Sequence, residues 1–156
     1  MKNSEKLPGI GSAIRKAGRK RVFFVDTNLF IRFLSRDDAE KAAKCKTLFE
    51  KALAGEVKLF TSELVIAEVV WVLQSPKTYN QKPERIRELL LPLLTIKNLN
   101  FPNKELYPEV FELFASTNVD YIDAYNAVLM QRKGISDIFS YDIHFDLISN
   151  INRLEP

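Results

Sequence analysis

The feature that most constrains this chain is a run of four apolar residues that ends in a carboxylate. Positions 22–25 read Val-Phe-Phe-Val, and Asp26 follows directly. An uninterrupted apolar run of β-favouring residues predicts a strand that is buried on both faces of a parallel sheet. Asp26 would then lie at the carboxyl end of this strand, where open α/β sheets bind their ligands. The alternative is that Asp26 only caps the helix that begins behind it.

Beyond this point, short apolar strands alternate with helical patterns along the chain. Such alternation predicts an α/β fold with a mostly parallel sheet and right-handed crossovers. The last strand is predicted to be buried, as the first one is. The predicted helices include residues 39–53, 62–73 and 84–94, and the strands after the first cover residues 57–61, 96–101 and 138–140.

Length and composition limit the class of protein. A chain of 156 residues, 46% hydrophobic and 28% charged, is typical of one soluble globular domain. No apolar run approaches the length of a membrane span, and the N-terminus lacks the apolar core of a secretory signal. The single cysteine, Cys45, excludes an internal disulfide. We therefore expect a reducing compartment, most simply the cytoplasm.

The basic side chains are concentrated at the N-terminus. Residues 1–25 hold seven of the 23 basic residues and one of the 20 acidic residues, so the remainder of the chain is mildly acidic. This asymmetry predicts a basic arm over residues 1–21 and a folded domain over residues 22–156. The arm is either a phosphate-contacting extension or a solvated leader. Its candidate RNA-binding residues are Arg15, Lys16, Arg19, Lys20 and Arg21.

Glu68 is the second acid that the pattern singles out. Beyond its first turn, the predicted helix over residues 62–73 is apolar on every side except at Glu68. Because a helix that is hydrophobic all round is buried, we expect Glu68 to have little access to water. A lone buried carboxylate is unfavourable unless it is protonated, paired or bound to a cation. Glu68 is therefore interpreted as a functional acid, with a structural ion pair as the alternative.

Two further acids come near the end of the chain. Asp123 lies in or just before the first turn of a helix, and Asp120 precedes it by three residues. Asp142 follows the last predicted strand as Asp26 follows the first. Carboxylates at the ends of two parallel strands are expected to converge on one crevice.

With these motifs identified, the chain resembles the PIN domain family, in particular its small stand-alone VapC-type toxin nucleases. The resemblance covers roughly residues 22–150 and depends on the order and separation of four segments. It implies a three-layer α/β/α fold with a short central, mostly parallel sheet flanked by helices. The segments are VDTNLF at 25–30, EVVWVL at 68–73, VDYIDA at 119–124 and SYDIHF at 140–145.

The resemblance also implies an acidic site. Asp123 is preferred to Asp120 because only Asp123 is in register with the Ala-rich face of its helix. Clustered carboxylates repel one another unless a cation offsets their charge, and sites made only of oxygen suit Mg²⁺ or Mn²⁺. The single histidine, His144, excludes a His-rich zinc site. The implied catalytic and metal-binding acids are Asp26, Glu68, Asp123 and Asp142, with Thr27, Asn28 and Ser140 as polar support.

The implied activity is hydrolysis of RNA by metal-activated water, leaving a 5′-phosphate and a 3′-hydroxyl, with no protein nucleophile. The stand-alone size resembles toxins that a cognate antitoxin holds inactive and that commonly form homodimers. Trp71 and the Leu-rich fourth helix are candidate interface elements, with core packing as the alternative.

Three other functions remain open. The chain could be a housekeeping RNA-processing PIN nuclease, or a PIN module that binds RNA or protein without catalysis. A haloacid-dehalogenase-like hydrolase would use Asp26 as a covalent nucleophile. That class usually has a second Asp two residues on, where this chain has Asn28.

Overall fold

Short strands alternate with helices throughout residues 21–156, the part of the chain that the computed structural model describes. The strands are β1 (Val22–Phe24), β2 (Lys58–Phe60), β3 (Leu99–Asn100), β4 (Asp137–Phe139) and β5 (Asn152–Leu154). The helices are α1 (Thr27–Ser35), α2 (Ala39–Leu53), α3 (Glu63–Gln74), α4 (Pro83–Leu94), α5 (Tyr107–Ser116) and α6 (Tyr121–Arg132). Short 3₁₀ helices span Lys104–Leu106 and Ile143–Leu147.

Every strand pairing in the described residues is parallel. One sheet has the order β1-β2-β3, with Phe24 opposite Phe60 and Leu59 opposite Leu99. A second sheet pairs β4 with β5. Because parallel neighbours need crossover connections, helices join the strands and flank them. The predicted α/β class, with a parallel sheet and flanking helices, is confirmed.

Aromatic side chains form much of the core between the helices. Helix α5 packs against both α4 and α6. The rings of Phe114 and Tyr121 meet edge to face with centroids 5.7 Å apart, and Phe111 lies beside them. In α4, Leu90 and Leu94 are almost completely buried, so these leucines serve core packing. None of the helices between residues 21 and 156 has the length and apolarity needed to cross a bilayer.

Helix boundaries follow local sequence signals. The Ser62 hydroxyl accepts a hydrogen bond from the Val65 backbone N–H at 3.2 Å and so caps α3. Gly55, just beyond α2, has φ +77°, a left-handed conformation that favours glycine. Pro92 lies in the last turn of α4, where its missing N–H removes one helical hydrogen bond without preventing the helix from reaching Leu94.

Two strands that were predicted to be buried are exposed, so those predictions are wrong. In β1, the residues Val22, Phe23 and Phe24 are between 46% and 59% exposed, and Phe139 in β4 is 71% exposed. The reason is topological, since β1 is an edge strand among the described residues and β4 pairs only with β5. An apolar run therefore indicates a strand here. Whether that strand is buried depends on which other elements pack against it.

Candidate active site

Asp26 lies in a turn that neighbouring strands hold in place. The Val25 backbone N–H donates to the Phe60 carbonyl at 2.8 Å, and the buried Thr61 hydroxyl donates to the Val25 carbonyl at 2.8 Å. Asp26 occupies the N-cap position of α1, but its side chain makes no capping hydrogen bond. Its Oδ2 instead accepts a long 3.4 Å contact from Asn28 Nδ2. The Asp26 carboxylate is therefore exposed and does not serve the cap that was its alternative role.

Glu68 is connected to this turn through Thr27. The Thr27 side chain is buried, and its hydroxyl donates a short hydrogen bond to Glu68 Oε2. The prediction that Glu68 is buried is wrong, because its side chain is exposed. It lies on an outward stripe of α3 together with Leu64 and Trp71, which are 82% and 69% exposed. The apolar residues on this side of α3 reach solvent, so they do not exclude water from Glu68.

Asp123 and Asp142 form a second pair of acids. Asp123 lies in the first turn of α6, is partly buried and lies close to the Asp142 carboxyl. Burial raises the pKa of Asp123 above its usual range, and the charges of Asp142 and Asp120 raise it further. The two groups are therefore close enough to compete for ionisation.

A small set of contacts fixes the loop that carries Asp142. The Asp142 backbone N–H donates to the Ser140 hydroxyl oxygen at 3.0 Å. Asp142 Oδ1 accepts from the His144 backbone N–H at 2.9 Å and lies 2.8 Å from His144 Nδ1. The backbone hydrogen bond lowers the pKa of Asp142, and the His144 side chain lowers it further. The contact of His144 with Asp142 was not predicted from the sequence. An Asp side chain that accepts from the backbone N–H two residues later is, however, a common local turn.

Two links between elements involve these acids. Thr27 connects the turn of Asp26 to Glu68, and Asp123 lies close to Asp142. Within residues 21–156, no three Asp, Glu, His or Cys side chains are arranged to hold one metal ion. A common site for all four acids therefore stays a prediction. The donor atoms are all carboxylate oxygens, which is the chemistry that Mg²⁺ and Mn²⁺ require.

A polar contact between α3 and α6 joins the elements that carry these pairs. Glu63 Oε1 accepts from Asn103 Nδ2 at 3.0 Å and from the Tyr125 hydroxyl. Burial, followed by the hydrogen bond to Glu63, raises the pKa of Tyr125 to about 12. Sequence reasoning missed this contact, because Glu63 and Tyr125 are 62 residues apart and neither lies in a recognisable motif.

The basic arm is represented by one residue in the described part of the chain. Arg21 is exposed at the start of β1. The other candidate RNA-binding residues, Arg15, Lys16, Arg19 and Lys20, lie outside the described residues.

Comparisons with known proteins identify the family of the chain. A family model described as "PIN domain" matches residues 23–151. The chain is 27% identical over 121 residues to a protein of Aquifex aeolicus (strain VF5) named "VapC ribonuclease", an alignment that covers 78% of this chain and 87% of that relative. Among solved structures, it is similar to Mycobacterium tuberculosis VapC20, described as a Sarcin-Ricin loop cleaving toxin. That match has 18% identity and a TM-score of 0.35, and it covers 78% of this chain and 90% of the other.

Proposed function

Since the chain belongs to the PIN domain family, we propose that it is a Mg²⁺- or Mn²⁺-dependent endoribonuclease. The observation that supports this proposal is the hydrogen bond to Glu68 from Thr27, which follows Asp26 beyond the end of β1, together with the closeness of Asp123 to Asp142 beyond the end of β4. The similarity to a relative named VapC ribonuclease supports the same activity.

Asp26, Glu68, Asp123 and Asp142 are the residues that would hold the metal. When bound, a divalent ion lowers the pKa of water and offsets the charge that develops on a phosphodiester in hydrolysis. This chain supplies the oxygen donors and the groups that orient them.

The neighbouring polar residues have positioning roles in this proposal. The Thr27 hydroxyl fixes one oxygen of Glu68, and Asn28 contacts Asp26. Ser140 and His144 hold the Asp142 loop from both sides. Burial and the nearby charge of Asp142 raise the pKa of Asp123, so a cation held between these two carboxylates would relieve their repulsion.

The biological role that we infer is the toxin of a toxin-antitoxin pair in the cytoplasm. The resemblance of the four motif segments to VapC-type toxin nucleases supports this role, and the small size of the chain is consistent with it. We infer a cognate antitoxin as partner and a homodimer as the assembly. Expression of the chain in a bacterial host should stop growth, and co-expression of the protein encoded by the adjacent gene should restore it. A housekeeping RNA-processing nuclease would instead be tolerated without any antitoxin.

Cleavage of RNA tests the chemistry directly. The full chain is incubated with total cellular RNA and Mn²⁺, and cleavage sites and product ends are mapped. We expect discrete cuts with 5′-phosphate ends, and no cuts by the Asp26→Asn variant or after chelation. Equal cutting by both proteins would assign the activity to a contaminant.

A catalytically silent binding module makes the opposite prediction. It would bind RNA without cutting it in Mg²⁺ or Mn²⁺, and Asp26→Asn would leave binding unchanged. That result would overturn the nuclease assignment while leaving the fold intact.

A further inference from the structure

The exposed stripe of α3 contains an indole beside an acid of the proposed site. Glu68 and Trp71 are three residues apart, so their side chains are neighbours on one helix face, about 5 to 6 Å apart at Cβ. Both are exposed, and the Trp71 side chain is 69% exposed. A large solvated aromatic ring beside a proposed phosphodiester site suits contact with the substrate.

Trp71 also forms one wall of an open cavity of about 570 Å³ at the end of α3. A cavity of this volume is in the range that accommodates small organic ligands. Polar groups contribute much of the remaining wall, including Gln74, Asn80, Gln81 and Lys82.

The loop that closes the cavity is held by its own hydrogen bonds. The Asn80 backbone N–H donates to the Ser75 carbonyl at 3.0 Å, and the Gln81 backbone N–H donates to the Leu73 carbonyl at 2.8 Å. The Thr78 hydroxyl donates to the Val72 carbonyl. The loop is therefore anchored to the last turn of α3, and its cavity is formed before any ligand binds.

Several polar groups of the cavity have no protein partner. The Gln74 and Asn80 side-chain amides and the Lys82 ammonium make no hydrogen bond or ion pair with any residue between 21 and 156. The basic residues of the cleft between α1 and α2 differ, because Arg32, Lys41 and Lys44 pair with acids there. Within the described part of the chain, the Trp71 cavity thus presents an aromatic face together with two amides and one cation that have no partner.

We propose that this cavity binds an unpaired nucleobase of the RNA substrate next to the proposed cleavage site. Trp71 stacks on the base, Gln74 and Asn80 hydrogen-bond its edge, and Lys82 contacts a phosphate of the same segment. Stacking on an aromatic side chain accepts any base, whereas amide groups read base edges. The assignment of the ligand as RNA rests on the proposed nuclease function.

A second copy of the chain fits this surface less well. Burial of the cavity under an apolar interface would leave the two amides and the ammonium without partners, which is unfavourable. A nucleotide offers an aromatic face, hydrogen-bonding edges and a negative phosphate, which match the three kinds of group present.

The chain has a single tryptophan, so its fluorescence reports on this cavity alone. Short single-stranded RNA is titrated into the full wild-type chain in EDTA, where cleavage is stopped. We expect saturable quenching of Trp71. With labelled RNA and fluorescence anisotropy, Trp71→Ala should weaken binding on the order of tenfold, whereas Trp71→Phe retains an aromatic face and most of the affinity. Leu53→Ala, which changes an exposed apolar side chain elsewhere, should bind as wild type.

Two results would overturn the proposal. One is equal RNA affinity of Trp71→Ala and wild type. The other is Trp71 emission that changes with protein dilution but not with RNA, together with loss of a dimer by Trp71→Ala in sedimentation, which would assign the surface to a second copy. Failure of the nuclease assignment gives a different pattern. RNA would still quench Trp71 in EDTA, but no cleavage would follow on addition of Mn²⁺.

Discussion

Thr27→Val removes the hydroxyl that donates to Glu68 and changes the side-chain volume little. Thr27 is buried at the start of α1, directly after Asp26, and Glu68 lies on α3. The substitution therefore tests whether this contact between α1 and α3 positions Glu68 for catalysis or only stabilises the fold.

The structure sets the size of the expected effect. A hydrogen bond to a charged group contributes about 1.5 to 3 kcal/mol. Because Glu68 is exposed, water partly replaces the lost hydroxyl. We therefore expect the activation free energy of cleavage to rise by about 1 to 1.5 kcal/mol. That free energy corresponds to a loss of roughly five- to tenfold in cleavage rate. Because no buried carboxylate is left unpaired, the free energy of unfolding should fall by less than about 1 kcal/mol.

The assay combines cleavage of a short RNA in Mn²⁺ with urea unfolding of the same preparations. Thr27→Ser keeps the hydroxyl and should retain most of the activity. Thr47→Val provides a matched control, since the Thr47 hydroxyl donates only to the Ala43 carbonyl on the exposed side of α2. Its cleavage rate should equal that of wild type.

Full activity of Thr27→Val would refute the positioning role. So would an activity loss that Thr27→Ser shares and that follows a parallel loss of stability. In that case the contact between α1 and α3 would serve the fold, and Glu68 would need no orientation from Thr27.

Three further predictions use other parts of the molecule. Asp142→Asn should abolish cleavage, while Asp137→Asn, at the opposite end of β4, should preserve it in the same Mn²⁺ assay. Asp123→Asn should also abolish cleavage, yet raise the melting temperature of the metal-free protein at neutral pH. The pKa of the Asp123 carboxyl is raised in the folded state, so its ionisation at neutral pH opposes folding. The gain in melting temperature should therefore vanish at pH values below the usual pKa of an Asp carboxyl. Phe114→Ala, at a fully buried site, should lower the free energy of unfolding by about 3 to 5 kcal/mol in urea. Leu53→Ala, 70% exposed, should change it by less than about 0.5 kcal/mol.

Sequence reasoning was accurate where the signal is local. The helices predicted over residues 39–53, 62–73 and 84–94 agree to within one residue with α2, α3 and α4, because helical spacing and end signals depend on neighbouring residues. It failed where burial depends on distant neighbours. The apolar residues of β1 and the Glu68 side chain were both predicted to be buried, and both are exposed to solvent.

The contacts around the proposed site show the same limit. The positions of Asp26 and Asp142 after apolar strands are visible in the sequence, but the contacts that connect the helices around the proposed site are distant. Thr27 meets Glu68 across 41 residues, and Glu63 meets Tyr125 across 62. No periodicity encodes such pairs, because they depend on how helices from separate crossovers pack.

The sequence by itself predicted the α/β class and the bounds of the main helices and singled out the candidate acids, because each of these depends on residues a few positions apart. Only the tertiary structure decided that Thr27 joins the turn of Asp26 to Glu68, that β1 is an edge strand among the described residues and that Trp71 walls an open cavity. Those features depend on which surfaces pack together when the chain folds. No local pattern of residues along the chain shows which surfaces these are.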